Sequence, residues 1–220
     1  RDLSNSLVRV AKGAGLHCEA ILTDMNQVLG KSAGHTLEIL ECIKYIKNDF
    51  KDHRLEKITN ELISSLLVNI YKISKEEAYN KINTVINNGL AAEKFEMMVA
   101  ALGGPKNILT SYEKDLTNTS IQKDIFSIEG GWIENIHTRE LGLILIELGG
   151  GRKQVTDKIN YGVGYDNVLN IGDEVNSSTP LLSLYSSKNI DDNLINKIKD
   201  CFIISDKKTQ KLSEIFETIN

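Results

Sequence analysis

The 220-residue sequence has a formal net charge of −4, with 41% hydrophobic and 25% charged residues. These values are typical of a folded globular protein and argue against a disordered or fibrous one. They give no general reason to bind nucleic acid. The densest apolar run, Leu141–Leu148, is too short to span a bilayer. The sequence therefore predicts one or two folded domains with neither a nucleic-acid nor a membrane partner.

The first predicted elements are a helix and a strand. Apolar residues at helical spacing predict a helix that ends at Gly13-Ala-Gly15. The apolar run Cys18–Asp24 then predicts a buried strand with polar residues, Asn26 among them, at its carboxyl end. A helix, a glycine and a buried strand are typical of an α/β domain, in which ligands bind at the carboxyl ends of strands. Because the chain starts without Met and within the helical pattern, we expect a piece of a longer protein.

Helical periodicity continues over residues 32–112 and predicts a series of helices. Ser74-Lys-Glu-Glu77 is a capping box that predicts a helix start. Gly103-Gly-Pro105 predicts the end of one helix and the start of the next. Met97 and Met98 lie on or beside an apolar stripe, and we expect them to pack in the core rather than contact a cofactor.

The composition changes near residue 117, where Thr117–Ser120 is predicted to be a polar linker. Two strand-like runs, Ile121–Ile128 and Trp132–Ile136, are separated by Gly130-Gly131 and predict a hairpin. Further helices are predicted over Leu141–Leu148, over residues 191–201 and near Leu212. The second half is therefore predicted to be α+β.

Few motifs in the sequence indicate chemistry. Cys18, Cys42 and Cys201 have the spacing of neither a disulfide framework nor a zinc site, so reduced thiols are expected. The four histidines do not occur in zinc-ligand spacing either. Gly149-Gly-Gly-Arg152 permits two interpretations: the glycines end a helix and turn the chain, or backbone N–H groups and Arg152 face an anion.

The most informative segment is Thr23–Glu41, in which a glycine-interrupted polar loop joins a predicted strand to a predicted helix. Loop carbonyl oxygens and a carboxylate farther along the helix are ligands that hard cations prefer. The alternative is a structural loop followed by a helix with a solvated carboxylate. Spacing alone leaves both interpretations open.

Segments along almost the whole chain resemble, in the same order, the thymidine phosphorylases and related pyrimidine-nucleoside phosphorylases. They are Val10–Gly15, Leu22–Gln27, Ser32–Gly34 with Leu37-Glu38, Ala92–Phe95, Met98–Pro105, Glu147–Arg152, Asp157–Ile159, Val163-Gly164 and Gly172–Val175. Asn26 is similar to the thymidine-selective members, since the broader pyrimidine enzymes tend to have Ser at this position.

The resemblance implies a fold that is α/β with α+β. Residues 1–117 would be the C-terminal, mostly helical part of the family's large α/β domain. Residues 118–220 would be its α+β barrel-sandwich C-terminal domain. The implied activity is that of a cytoplasmic, homodimeric pentosyltransferase. It would catalyse reversible phosphorolysis of thymidine or deoxyuridine to the free base and 2-deoxyribose 1-phosphate.

The resemblance also limits the site assignments. The family's phosphate- and base-binding motifs are expected before Arg1, so no catalytic residue and no organic cofactor are assigned, and the fragment alone is expected to be inactive. The family's potassium site is implied in part, with the backbone carbonyls of Leu29 and Ser32 and the carboxylate of Glu41 as ligands. Position 32 is Ala in the potassium-binding members, a change that a backbone ligand tolerates. The remaining ligands are expected from the missing N-terminal half.

Two alternatives remain at the level of sequence. One is a phosphorylase of broader pyrimidine-nucleoside specificity or one that acts on AMP. The other is a non-enzymatic binding or scaffold module that reuses this half. Base-binding residues encoded upstream of Arg1 would distinguish the enzymes from one another. The intact mass and the encoding reading frame would identify a scaffold.

Overall fold

The computed structural model describes residues 1–116 and 121–220, so the predicted linker Thr117–Ser120 lies outside the described residues. The helices are α1 (Asp2–Gly13), α2 (His35–Ile46), α3 (His53–Tyr71), α4 (Lys75–Asn87), α5 (Leu90–Ala101), α6 (Ile108–Leu116), α7 (Thr138–Leu148) and α8 (Asp192–Lys199). The strands are β1 (Ala20–Thr23), β2 (Ile121–Phe126), β3 (Gly131–Ile136), β4 (Gly164–Asp166), β5 (Glu174–Val175), β6 (Pro180–Ser186), β7 (Phe202–Ser205) and β8 (Ile215–Ile219). This mixture of helices and strands confirms the predicted fold class in its coarse form.

The strand β1 follows α1 as predicted, but it is half-buried rather than buried. It pairs antiparallel with β8, from Ala20 opposite Ile219 to Thr23 opposite Ile215. Within the described residues no other strand pairs with β1, which explains the partial exposure. The predicted terminal helix near Leu212 is wrong, because the β-branched and aromatic residues that follow favour a strand, and β1 offers them a partner.

The helices α2 to α6 pack around two small apolar clusters. Their buried members are Ile43, Ile108 and Tyr112 in one cluster and Tyr45, Ile82 and Ile86 in the other. The predicted cap of α4 is confirmed, because the Ser74 side chain accepts a hydrogen bond from the Glu77 backbone N–H at 3.1 Å. The cap satisfies one of the donors that a helix start leaves without a partner.

The expected core packing of Met97 and Met98 is wrong. Their side chains are 54% and 51% exposed. The buried side of α5 is formed by Ala92, with Phe95 and Val99 packed against the Ile43 cluster. Positions 97 and 98 lie next to this stripe on the helix rather than on it.

The predicted hairpin of β2 and β3 is also wrong. β2 pairs with β6, whereas β3 pairs with β5 and β7, all antiparallel. Gly131 lies where the chain enters the second sheet, with a φ of 147° and no room for a Cβ against the Ser205 carbonyl. The local sequence resembles a hairpin because both runs are strands, but their partners are remote in the chain.

The two sheets β2-β6-β4 and β5-β3-β7 and the helices α7 and α8 enclose one apolar core. Its most deeply buried members include Ile133, Tyr165, Val168, Leu182, Leu184 and Ile198. Val28 and Ala33, from the chain between β1 and α2, pack against this core. The segment between β1 and α2 therefore lies between the helical half and the strand-rich half. Within the described residues, no helix combines the length and the apolar character that crossing a membrane requires.

Candidate functional site

The candidate site is the β1–α2 loop, residues 24–34, together with Glu41 one and a half turns into α2. Ser32 is 5% exposed, whereas Leu29 is 43% exposed. Gly34 is the N-cap of α2 with a φ of 124°, a conformation that side chains disfavour. A Cβ there would collide with the backbone of Val163 and Gly164. The loop thus ends at a close backbone contact with the strand-rich half.

The Glu41 carboxylate is bound to the loop by three hydrogen bonds. Its Oε1 accepts from the Lys31 backbone N–H at 2.8 Å. Its Oε2 accepts from the Ser32 backbone N–H at 3.1 Å and from the Ser32 hydroxyl at 2.5 Å. The carboxylate also lies directly against the Gly30 Cα, where a Cβ would displace it. Glu41 is therefore not a solvated helix-surface carboxylate but holds the tip of the loop.

The structure brings Ser32 and Glu41 into direct contact and keeps Leu29 in the same loop. Among the described residues, no donor contacts the backbone carbonyl of Leu29 or Ser32. One carboxylate and two carbonyls without hydrogen bonds form an oxygen donor set suited to a hard cation. The described residues contain no group of three or more His, Cys, Asp or Glu that could hold a metal ion. The carbonyl and carboxylate oxygens at Leu29, Ser32 and Glu41 are of the type that a cation such as potassium prefers.

A buried ion pair lies at the start of the loop. Asp24 is 1% exposed and Arg54, from the first turn of α3, is 5% exposed. Arg54 Nη1 lies 3.0 Å from Asp24 Oδ2. Burial alone would raise the pKa of the Asp24 carboxyl, but its hydrogen bonds and the charge of Arg54 outweigh burial and lower that pKa. Asp24 is therefore ionised at neutral pH.

Sequence reasoning placed Asp24 at the end of a strand but did not single out Arg54. A weak signal existed, because the first turn of a helix favours acidic rather than basic residues. Asp52 caps α3 by accepting hydrogen bonds from the N–H groups of Arg54 and Leu55. The Arg54 guanidinium points at the loop and donates to its backbone carbonyls.

The rest of the loop runs beside the strand-rich half. Ala33 and Tyr165 exchange two backbone hydrogen bonds of 2.9 and 2.7 Å. The Val168 N–H donates to the Lys31 carbonyl at 3.0 Å. Lys31 Nζ lies 3.3 Å from the Asp173 carboxylate, which Lys211 also contacts. These contacts fix the loop against the strand-rich half.

A cavity of about 390 Å³ opens beside Glu41. Its lining combines both charge signs with aromatic side chains and includes Lys31, Glu41, Lys44, Phe50, Tyr112 and Asp166. Small-molecule sites usually have volumes from about 300 to 1,000 Å³, so this cavity is at the small end of that range.

At Gly149–Arg152 the structure supports the helix-ending interpretation. The N–H groups of Gly149 and Gly150 donate to the α7 carbonyls of Ile146 and Leu145. Gly149 adopts a left-handed conformation, which commonly ends helices. These two N–H groups are consumed within α7 and do not face an anion.

Comparison with known proteins shows what this chain is similar to. Residues 132–205 match the pyrimidine nucleoside phosphorylase C-terminal domain. Over 187 residues, 84% of this chain, the sequence is 40% identical to a thymidine phosphorylase of Colwellia psychrerythraea. Both comparisons support a resemblance of this chain to the C-terminal part of the thymidine and pyrimidine-nucleoside phosphorylases. The resemblance seen in the sequence is thereby confirmed. The aligned part spans 43% of the length of that relative.

Proposed function

We propose that this chain is the C-terminal part of a cytoplasmic thymidine phosphorylase, a pentosyltransferase that converts thymidine and phosphate reversibly to thymine and 2-deoxyribose 1-phosphate. The observation that supports this proposal most strongly is the 40% identity over 187 residues to a thymidine phosphorylase. In the complete enzyme, residues 1–117 would finish the large α/β domain. Residues 118–220 would form the α+β barrel-sandwich domain.

The proposed reaction needs more groups than this chain supplies. Phosphate must be held in line with the anomeric carbon, and charge on the departing base must be stabilised. We assign both tasks to the first half of the complete protein. The chain alone should therefore release no thymine from thymidine and phosphate, and adding the first half should restore turnover. Turnover by the chain alone at the rate of the complete enzyme would contradict this division of tasks.

The exposed apolar surface supports a tight association with the missing half. The helix α1 exposes Leu3, Leu7 and Val10, and one side of α3 exposes Leu62, Leu66 and Ile70, each at least half exposed. Exposed apolar surface of this extent usually marks an interaction site. When both halves are produced as separate chains, they should co-elute in size-exclusion chromatography with light scattering. The complete protein is proposed to be a homodimer, which the same measurement tests. A well-folded 24.5 kDa monomer that binds no apolar dye would contradict the association.

The β1–α2 loop is proposed to hold a potassium ion in the complete enzyme, with Leu29, Ser32 and Glu41 as this half's ligands. The Leu29 and Ser32 carbonyls would be neutral oxygen ligands, and the Glu41 carboxylate would be the charged ligand among the three. The ion would supply fixed positive charge beside the loop. The chain's own contribution is to hold the loop through the hydrogen bonds that Glu41 accepts from Lys31 and Ser32.

A matched pair of variants tests the cation proposal. Glu41→Gln removes the charge, whereas Ser32→Ala removes the hydroxyl but keeps the proposed carbonyl ligand. Activity of the complete enzyme is measured with potassium and with a large organic cation in its place. Wild type and Ser32→Ala should depend on potassium, and Glu41→Gln should be slow in both salts. Equal activity of all variants in both salts would remove the cation assignment.

A further inference from the structure

A buried polar cluster at the start of the β1–α2 loop has no part in the contacts of Glu41. Its members are Asp24, Gln27 and Arg54, which are 1%, 6% and 5% exposed. Charged residues are almost never this deeply buried unless they are paired. The cluster joins three parts of the fold: the end of β1, the start of α3 and the strand-rich half.

Arg54 fixes two points of the loop at once. Its Nη2 donates to the Asp24 backbone carbonyl, and its Nε donates to the Val28 carbonyl at 3.3 Å. Its Nη1 lies beside the Asp24 carboxylate. The planar guanidinium donates to two carbonyls and keeps its charge beside the carboxylate, which a lysine ammonium on its flexible stem cannot do in the same geometry.

Gln27 connects the same carboxylate to the strand-rich half. Its Nε2 donates to Asp24 Oδ2 at 2.8 Å. Its Oε1 accepts from the buried backbone N–H of Ile171 at 2.9 Å. Both polar ends of the amide are therefore used, and an apolar residue at this position would leave the Ile171 N–H without its partner.

We propose that Arg54 and Gln27 are positioning residues that act through Asp24. They fix the first part of the loop, so that Lys31 and Ser32 present their N–H groups to Glu41. Gln27 makes the shape of the loop depend on the strand-rich half. The strand-rich half therefore sets the affinity of the cation site and is not merely an appended module. This inference rests on the proposed function, in which the β1–α2 loop binds the potassium ion.

A purely stabilising ion pair would have different consequences. Altering such a pair would lower the stability of the whole protein. It would have no selective effect on the tip of the loop, which is several residues away along the chain. Outer partners that orient metal ligands typically change metal affinity by about 10- to 100-fold when they are lost. Selective loosening of the loop tip and weaker potassium activation therefore distinguish a positioning role from a stabilising one.

The test compares the complete protein with its Gln27→Leu and Arg54→Lys variants. Arg54→Lys keeps the positive charge, so it remains a usable variant if Gln27→Leu does not fold. The control is Tyr79→Phe, which loses a 2.8 Å hydrogen bond to Glu61 between α4 and α3 and lies outside the cluster. The readouts are hydrogen exchange of the Lys31 and Ser32 amides and the potassium concentration that gives half-maximal phosphorolysis.

Both cluster variants should exchange faster at these two amides, and the half-maximal potassium concentration should rise by about 10-fold or more. The control should leave both readouts at wild-type values. If wild type shows no potassium dependence, the cation proposal fails and the exchange readout alone decides the inference. Amide exchange at Lys31 and Ser32 that is the same in the cluster variants as in Tyr79→Phe would overturn it.

Discussion

The hydrogen bonds of Glu41 lead to a quantitative prediction for Glu41→Gln. Lys31 and Ser32 bond to different oxygens of the carboxylate, so a glutamine in the same orientation can place its carbonyl oxygen on only one of the two sides. If the oxygen takes the Ser32 side, the NH₂ group faces the Lys31 N–H, and two donors oppose each other. A hydrogen bond to a charged group contributes about 1.5–3 kcal/mol, and the remaining bonds become neutral and weaker. Because the site is partly open to solvent, we expect a local cost of about 2–3 kcal/mol.

The cost should appear as local opening of the loop. At about 1.4 kcal/mol per factor of ten, the Lys31 and Ser32 amides should exchange roughly 30- to 100-fold faster in Glu41→Gln. Ser32→Ala keeps both backbone bonds to the carboxylate, so its cost should be about 1 kcal/mol. The assay is site-resolved hydrogen exchange on the complete protein, with amides of β6 as the internal reference. Wild-type protection of Lys31 in Glu41→Gln, or a larger effect of Ser32→Ala, would refute the assigned role of Glu41.

Three further predictions concern stability and reactivity. The pKa values of Asp24 and Asp173 are lowered on folding, because hydrogen bonds and nearby cations outweigh burial. Their stabilisation is complete above the ordinary carboxyl pKa of 3.8 and is lost as the pH falls through the lower folded values. Urea midpoints should therefore stay constant well above pH 3.8 and fall as the pH is lowered below it, and a midpoint that does not change below pH 3.8 would disagree. Ser74→Ala should destabilise the start of α4 by about 1 kcal/mol while Ser74→Asp should not, as measured by amide exchange in α4. Burial raises the pKa of buried Cys201 to about 11, whereas Cys42, whose pKa burial and Glu41 also raise, is exposed, so a thiol reagent at neutral pH should modify Cys42 before Cys201, which mass spectrometry of timed samples checks.

The helices were predictable because their signals are local. Apolar spacing, the Ser74 cap and the glycine at position 149 each depend on neighbours within a few residues, and the predicted helices are present apart from the one near Leu212. The pairing of β2 and β3 was not predictable in this way. Their partners β6 and β7 lie some 60 residues or more farther along the chain, and any strand-like run satisfies the same alternation.

The candidate site was predictable only in part. The sequence identified Leu29, Ser32 and Glu41 through the family resemblance, and the structure brings Ser32 and Glu41 into contact. It did not indicate that the Glu41 carboxylate accepts backbone N–H groups of the loop. Arg54 was missed because its role depends on a contact between residues 30 positions apart, for which one sequence contains no signal.

The segments Ser32–Gly34 and Val163-Gly164 were noted only as resembling the family. The structure gives a physical reason for both, because a Cβ at Gly34 would collide with Val163 and Gly164, and one at Gly164 would collide with Leu37 and the Ala33 carbonyl. This contact joins the loop to the strand-rich half beside the Ala33–Tyr165 backbone pair. Such a role depends on the distance between two remote backbones, which spacing within either segment does not indicate.

The most direct test of the central proposal is a substrate comparison with the complete protein. Thymidine, deoxyuridine, uridine and AMP are each incubated with and without phosphate, and the free base and sugar phosphate are quantified. The proposal predicts phosphate-dependent formation of thymine and 2-deoxyribose 1-phosphate in equal amounts, with thymidine and deoxyuridine preferred over uridine and no reaction of AMP. Phosphorolysis of AMP alone, or no phosphate-dependent cleavage of any nucleoside, would contradict it.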